Sequence, residues 1–255
     1  MRLNVFLQRA GVGSRREAER LVEAGRIQVN GAAALATTPV EEGDVVLLDG
    51  KPVSPARAAL PRLFLLNKPV DYLVTNRDHQ NRPTVFDLPS MLEPGLPRLM
   101  SVGRLDVNSE GLLVLSSDGP LAQAMMSPAM ALERHYRVRV KGRFSERELE
   151  MLARGVTIEG IRYRGASFVE EEDKGGRTNS WYRVVLTEGK NREIRRLVQH
   201  FGGQVNRLIR TQYGPFELGD LNNGVLREVP PRAVMRLMDK LEKKAATLAS
   251  AEEKP

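Results

Sequence analysis

The sequence predicts an α+β protein in two parts: a small N-terminal α/β module, then a larger domain on a mainly antiparallel mixed sheet flanked by helices. Three observations carry this. Two helix patterns run into a hairpin signal within the first fifty or so residues; a linker bearing prolines comes next; beyond it, strand-like runs and helical stretches recur without the regular alternation of a wound parallel sheet. The chain has 255 residues, 41% hydrophobic and 28% charged, enough for one large domain or two smaller ones.

The first module spans 1–53. Leu3, Phe6, Leu7 and Ala10 form an apolar helix stripe that ends at Gly11-Val12-Gly13. Ser14-Arg15-Arg16-Glu17 reads as a capping box opening a second helix, with Ala18, Leu21 and Val22 on its buried side and Gly25 at its end. Arg26-Ile27-Gln28-Val29 alternates like a strand, Asn30-Gly31 signals a two-residue hairpin, and residues 44–48 give a further strand before Asp49-Gly50. Residues 54–62 have no helix or strand period and contain two prolines, so they read as a linker.

The main domain is expected over 63–232. Strand-like runs lie at 63–67, 112–116, 136–141, 181–186 and 225–229, and helical stretches at 120–127, 146–154 and 192–201. Residues 233–255 begin as an amphipathic helix on Val234, Leu237, Met238 and Leu241 and end in a tail expected to fray.

Composition excludes several kinds of chemistry. With no cysteine there is no disulfide, thiolate metal site or cysteine nucleophile, and His79, His135 and His200 lack metal-ligand spacing, which leaves little for zinc or a histidine-based triad. No run approaches the roughly 18 apolar residues of a membrane-spanning helix, and the start led by Arg2 lacks a signal core, so a cytosolic protein without a membrane role is expected. The excess of 39 Lys and Arg over 32 Asp and Glu gives a net charge of +7, which points to a polyanionic partner.

The arrangement of charge sharpens this. Arg15 and Arg16 sit in the opening turn of a helix, where they oppose the macrodipole by a few tenths of a kcal/mol. A phosphate on the free amides would offset that penalty; solvated arginines among Glu17, Glu19 and Glu23 are the plain alternative. Over 187–212, six cations (Lys190, Arg192, Arg195, Arg196, Arg207, Arg210) face only Glu188 and Glu193. On a helical wheel Ile194, Leu197, Val198 and Phe201 form one stripe, placing Arg192 and Arg196 on the far side and Arg195 at the rim, able to turn into a partly buried site. In His135–Lys141, Tyr136, Val138 and Val140 share one face and Arg137, Arg139 and Lys141 the other, so Tyr136 points to a core or cleft. Packing is the commoner role for such a tyrosine.

The densest constellation is Gly103-Arg104-Leu105-Asp106-Val107-Asn108-Ser109-Glu110-Gly111, running into an apolar strand and Asp118-Gly119. A calcium loop is set aside, because the twelfth position is Ser117 and the flanks are not helical. A turn aspartate stabilised by Arg104 remains the alternative to catalysis.

This run resembles the motif of the RsuA/RluB branch of pseudouridine synthases, which isomerise uridine in ribosomal RNA. Leu66-Asn67-Lys68-Pro69 is similar to the strand opening that family's catalytic domain, and Arg82-Pro83-Thr84-Val85-Phe86-Asp87-Leu88 to a segment found mostly in members acting on large-subunit rRNA. Glu188-Gly189-Lys190-Asn191-Arg192-Glu193-Ile194-Arg195-Arg196 resembles a third catalytic motif, and Arg207-Leu208-Ile209-Arg210 with Tyr213-Gly214-Pro215 resembles the stretch C-terminal to that motif in the family. Met1 to about Asp49 is similar to the RNA-binding module first described in a ribosomal protein.

The resemblance implies roles. Asp106 matches the essential aspartate, Tyr136 the tyrosine that stacks on the target base, Arg195 the basic residue paired with the aspartate, and Ile194 a pocket wall. Arg104, Lys190, Asn191 and Arg192 would hold the flipped nucleotide at the rim, and Arg15 and Arg16 would grip RNA. Exchanging an N1–C1′ bond for a C5–C1′ bond involves neither oxidation nor hydrolysis, so no cofactor and no metal are expected. The implied protein is a monomeric isomerase whose partner is rRNA or a pre-ribosomal particle, with the large subunit favoured. A small-subunit target, or a non-catalytic RNA-binding assembly factor, are the alternatives. Two departures stand out: Ser109 replaces a common Thr, and Asp71 stands where the pattern has Gly, a position that Asp tolerates in left-handed conformation better than most residues.

Overall fold

Apolar residues at helix spacing organise the start of the chain. The computed structural model describes residues 1–13, 15–54, 60–76, 78–171 and 178–252 and divides into two units, Met1–Leu60 and Pro61–Pro255. In the first unit, helices α1 (Leu3–Arg9) and α2 (Arg15–Glu23) precede strands β1 (Ile27–Val29), β2 (Ala32–Ala33), β3 (Val46–Leu48) and β4 (Lys51–Val53). The strands form an antiparallel sheet in the order β2-β1-β3-β4. Leu3, Leu7, Ala18, Val22, Ile27 and Val46 meet in its core. Asn30 and Gly31 both take positive φ, 51° and 79°, as a tight hairpin turn between twisted strands requires. The capping residue expected at Ser14 and linker residues 55–59 lie outside the described residues.

The second unit opens with β5 (Leu63–Lys68), β6 (Met100–Ser101), β7 (Glu110–Ser116) and α3 (Gly119–Met126). β8 (Arg134–Lys141), α4 (Glu146–Arg154), the small hairpin β9 (Thr157–Ile158) and β10 (Ile161–Arg162), β11 (Ser167–Glu171) and β12 (Asn179–Leu186) come next. α5 (Glu193–His200), β13 (Gln204–Tyr213), β14 (Phe216–Glu217), β15 (Leu226–Glu228) and α6 (Pro231–Glu252) complete it. Two helix starts are legible locally: Asp118 accepts from the Leu121 amide at 2.8 Å, and Ser145 and Glu148 form a capping box.

The main sheet runs β11-β12-β8-β13-β7-β5-β15. Along this path only β13 and β7 pair in parallel, through Ile209–Glu110 and Arg210–Gly111, which makes an otherwise antiparallel sheet mixed. Gly111 is what permits that approach: at φ 98°, a Cβ there would stand 2.4 Å from the Arg210 carbonyl oxygen. Alternate residues of β5 and β7 feed two apolar layers. Phe64, Leu66, Leu113 and Leu115 pack with Val138, Tyr182 and, on α5, Ile194 and Leu197. Leu63, Leu112 and Val114 pack with Met125 of α3 and Leu237 and Leu241 of α6.

Two expectations change. The sequence pattern gives no sign of β13, because Asn206, Arg207, Thr211 and Gln212 interrupt its apolar residues; pairing with β8 and β7 supplies the order instead. The first part of the tail expected to fray continues α6 as far as Glu252, since Ala245, Ala246, Leu248 and Ala249 are good helix formers, and the rest of that tail, 253–255, lies outside the described residues. Among the described residues, no helix is long and apolar enough to cross a membrane.

Candidate active site

The loop 103–109 leads into β7 beside the parallel β7–β13 junction and borders a cavity of about 250 Å³. Every residue lining it belongs to the second unit. Asp106, Tyr136, Ile194 and Arg195, distant in sequence, all face it, as do Arg104, Lys190 and Arg192. Asn191 lines an adjoining groove of about 420 Å³ together with Arg104 and Arg192. Arg15 and Arg16 belong to the first unit and are exposed in the opening turn of α2.

Asp106 is held at the cavity mouth by its own loop. The Ser109 amide donates to the Asp106 carbonyl at 3.0 Å, closing a turn, while Leu105 is buried in the core. The Asp106 side chain keeps 34% of its surface exposed. Its Oδ2 lies 3.4 Å from Nη1 of Arg192 and 3.8 Å from Nε of Arg195. Arg195 is otherwise clamped: it donates to the Val205 carbonyl at 3.2 Å, to the Asn108 carbonyl at 3.0 Å and to the Ser109 hydroxyl at 3.4 Å. Its buried Nε has no hydrogen-bond partner, so the Asp106 carboxylate is its nearest anionic neighbour in the ion-pair geometry. Burial and then the charge of Arg192 weaken the hold of Arg195 on its proton, and Asp106 opposes both.

The helical-wheel assignment of Arg192 to the far side does not hold. Arg192 caps α5 in the left-handed conformation, φ 51°, so it stands outside the helical repeat and its guanidinium turns back to Asp106. Lys190 also differs from a free cation at the rim. Its ammonium donates to Glu188 at 2.6 Å and to the Arg162 carbonyl at 2.7 Å.

Tyr136 is 8% exposed, on the face of β8 that the alternation assigns to the interior. Arg210 is its register partner on β13. Arg210 and Arg134, both buried, also border the cavity; each stacks on the Tyr213 ring, at 5.1 and 4.9 Å. The Tyr213 hydroxyl accepts from Arg134 at 3.1 Å and donates to the Met125 carbonyl at 3.0 Å. Sequence reasoning missed these two arginines as cavity residues. It also missed Lys68, wholly buried, whose ammonium donates to the carbonyls of Pro69 and Ser109 at 2.8 Å and of Val107 at 3.3 Å. Lys68 thereby ties β5 to the Asp106 loop, and burial pushes its ammonium down to about 8. A lysine closing an apolar strand was the available signal. Asp71 takes φ 67° and its amide donates to Val107 at 2.8 Å, so it fills the left-handed position open to Gly and buttresses the same loop.

Comparison with known proteins places the chain in a family. The RNA pseudouridylate synthase family model matches residues 62–200, and the S4 domain model matches residues 1–46. "Ribosomal large subunit pseudouridine synthase B" of Xanthomonas axonopodis pv. citri is 43% identical over 224 residues, covering 85% of this chain; the chain spans 40% of that relative's length. An "Uncharacterized RNA pseudouridine synthase" of Rickettsia felis is 40% identical over 229 residues, covering 89% of this chain and 96% of the relative. A crystal structure of a pseudouridylate synthase superposes with a TM-score of 0.63 at 23% identity, covering 93% of this chain and 99% of the other, which establishes likeness of fold. With the family model reaching over more than half of its length and relatives aligned over most of it, the chain belongs to the RNA pseudouridylate synthase family.

Proposed function

We propose that this protein isomerises a specific uridine of large-subunit rRNA to pseudouridine, with Asp106 as its essential carboxylate. One observation carries the reading: the Asp106 carboxylate stands 3.4 and 3.8 Å from two guanidiniums at the mouth of a cavity that Tyr136 also lines. Two guanidiniums hold the carboxylate at the cavity mouth, within reach of a nucleotide that enters it. Relatives named as large-subunit rRNA enzymes, and the segment 82–88, support the choice of rRNA.

The target uridine has to leave its stack to reach the cavity, and Tyr136 offers a ring beside it. Asp106 engages the sugar as the C1′–N1 bond breaks, and the bonding pair passes into the uracil ring. The ring turns, C5 takes C1′, the C5 proton leaves and N1 gains one, so substrate and product are isomers. In this reading Tyr136 stacks on the base and relays that proton. Ile194 forms the wall, and Arg104, Asn191 and Arg192 contact the nucleotide's phosphates. Lys190 joins them once RNA competes for its Glu188 partner. Arg15 and Arg16 in the N-terminal module grip neighbouring RNA, and the protein works as a cytoplasmic monomer on rRNA or a pre-ribosomal particle.

The test is Asp106→Asn in a purified reaction on an rRNA transcript. Pseudouridine formation should vanish while RNA binding persists; turnover surviving in this variant rejects Asp106 as the essential group.

A further inference from the structure

We infer that the open face of the β11-β12-β8-β13 half-sheet, which carries the stacked Arg137–Trp181 pair amid unneutralised cations, is a second docking surface for single-stranded RNA. On the β5–β7 half of the same sheet, α3 and α6 bury the second face. On the other half that face is left to exposed Arg137, Arg139 and Lys141 of β8, Arg183 of β12 and Arg207 of β13. The opposite face of these strands is the buried one, through Val138, Val140, Tyr182 and Val184.

A bare face is ordinary for an antiparallel sheet. Its charge pattern is not. Register sets Arg137 directly across from Arg183, and Arg139 directly across from Arg207. Like charges in facing positions destabilise a sheet, and neutral polar residues would serve solvation equally well. Glu171 lies 2.7 Å from Arg137 and 3.9 Å from Arg183, and Glu110 pairs with Arg207 at 2.5 Å. Arg139 and Lys141 have no ion-pair partner among the described residues. Among the described residues, these five cations against Glu171 and Glu110 leave the face positive, a field that suits a polyphosphate backbone.

Trp181, the chain's one tryptophan, selects RNA over an acidic protein as the occupant. It is the register neighbour of Arg139, and the Arg137 guanidinium lies 4.4 Å from its ring centroid. Planar aromatic and guanidinium groups on a bare sheet, with cations around them, are what unpaired bases stack on while their phosphates are held. The inference rests on the chain acting on RNA but not on Asp106 being the essential group, and it extends the enzyme's hold beyond the target nucleotide.

Trp181 itself reports the outcome. The full chain carrying Asp106→Asn is titrated with a single-stranded RNA of about a dozen nucleotides, following tryptophan fluorescence and, separately, the salt dependence of affinity. Quenching is expected, and Arg139→Gln with Lys141→Gln should flatten the salt slope by about 1.4, at about 0.7 per lost cation on single strands. RNA that binds without altering Trp181 emission, or an unchanged slope in the double variant, overturns the inference. So does quenching by polyglutamate equal to that by RNA. None of these results bears on whether Asp106→Asn abolishes turnover, so the two readings fail independently.

Discussion

Glu193→Gln isolates one buried carboxyl of the cavity wall. Glu193 is 3% exposed; the Lys190 amide donates to its Oε2 at 2.9 Å, and its Oε1 has no hydrogen-bond partner. Burial, with the nearby Glu188 carboxylate adding to it against the Lys190 amide, pushes the Glu193 carboxyl from 4.5 up to about 7. Between those values the folded chain holds a proton that the unfolded chain has released. The stabilisation is therefore full below about 4.5 and disappears as pH rises through about 7, a swing of about 3 kcal/mol. Glu188 is displaced downward, so its own contribution changes below this window. Glutamine keeps the shape and does not titrate. Urea unfolding of both forms at pH 5 and pH 8 should show the wild type losing about 2 kcal/mol or slightly more relative to the variant, since part of the swing lies below pH 5. Stability curves that run parallel from pH 5 to pH 8 would refute the reasoning, since every other group is common to both.

Other perturbations test separate parts of the molecule. Gly111→Ala places a methyl 2.4 Å from the Arg210 carbonyl at φ 98°, so the parallel β7–β13 pairing should give way at a cost of about 3 kcal/mol in denaturant unfolding; a loss under about 1 kcal/mol would show that the strands yield easily. Arg15→Ala with Arg16→Ala should weaken rRNA binding and flatten its salt slope by about 1.8 if both contact phosphates of a duplex, and an unaltered slope removes α2 from the RNA contact.

How far the sequence could be read depended on how local the cause was. The helical stretches at 120–127 and 146–154, the Asn30-Gly31 turn and the alternation that turns Tyr136 inward depend on neighbours a few residues away, and they stand in the structure within a residue of where the pattern puts them. The motif around Asp106 was legible for the same reason, as an unbroken run. Arg192 was misjudged because a helical wheel assumes a helix, and the residue adopts the left-handed cap just before it. Lys190 looked free because Arg162 and Glu188 converge on it only after β10 and the strand-to-helix turn fold together.

The order of residues alone determined the class of fold and the family, because those rest on short patterns and on spacing. Tertiary packing decided the rest: that β13 is a strand at all, that Lys68 braces the loop behind Asp106, and that Arg134 and Arg210 are buried beside Tyr136. Each depends on pairing between segments scores of residues apart, where hydrogen bonds and exclusion of water act on groups whose own neighbours in the chain carry no trace of the contact.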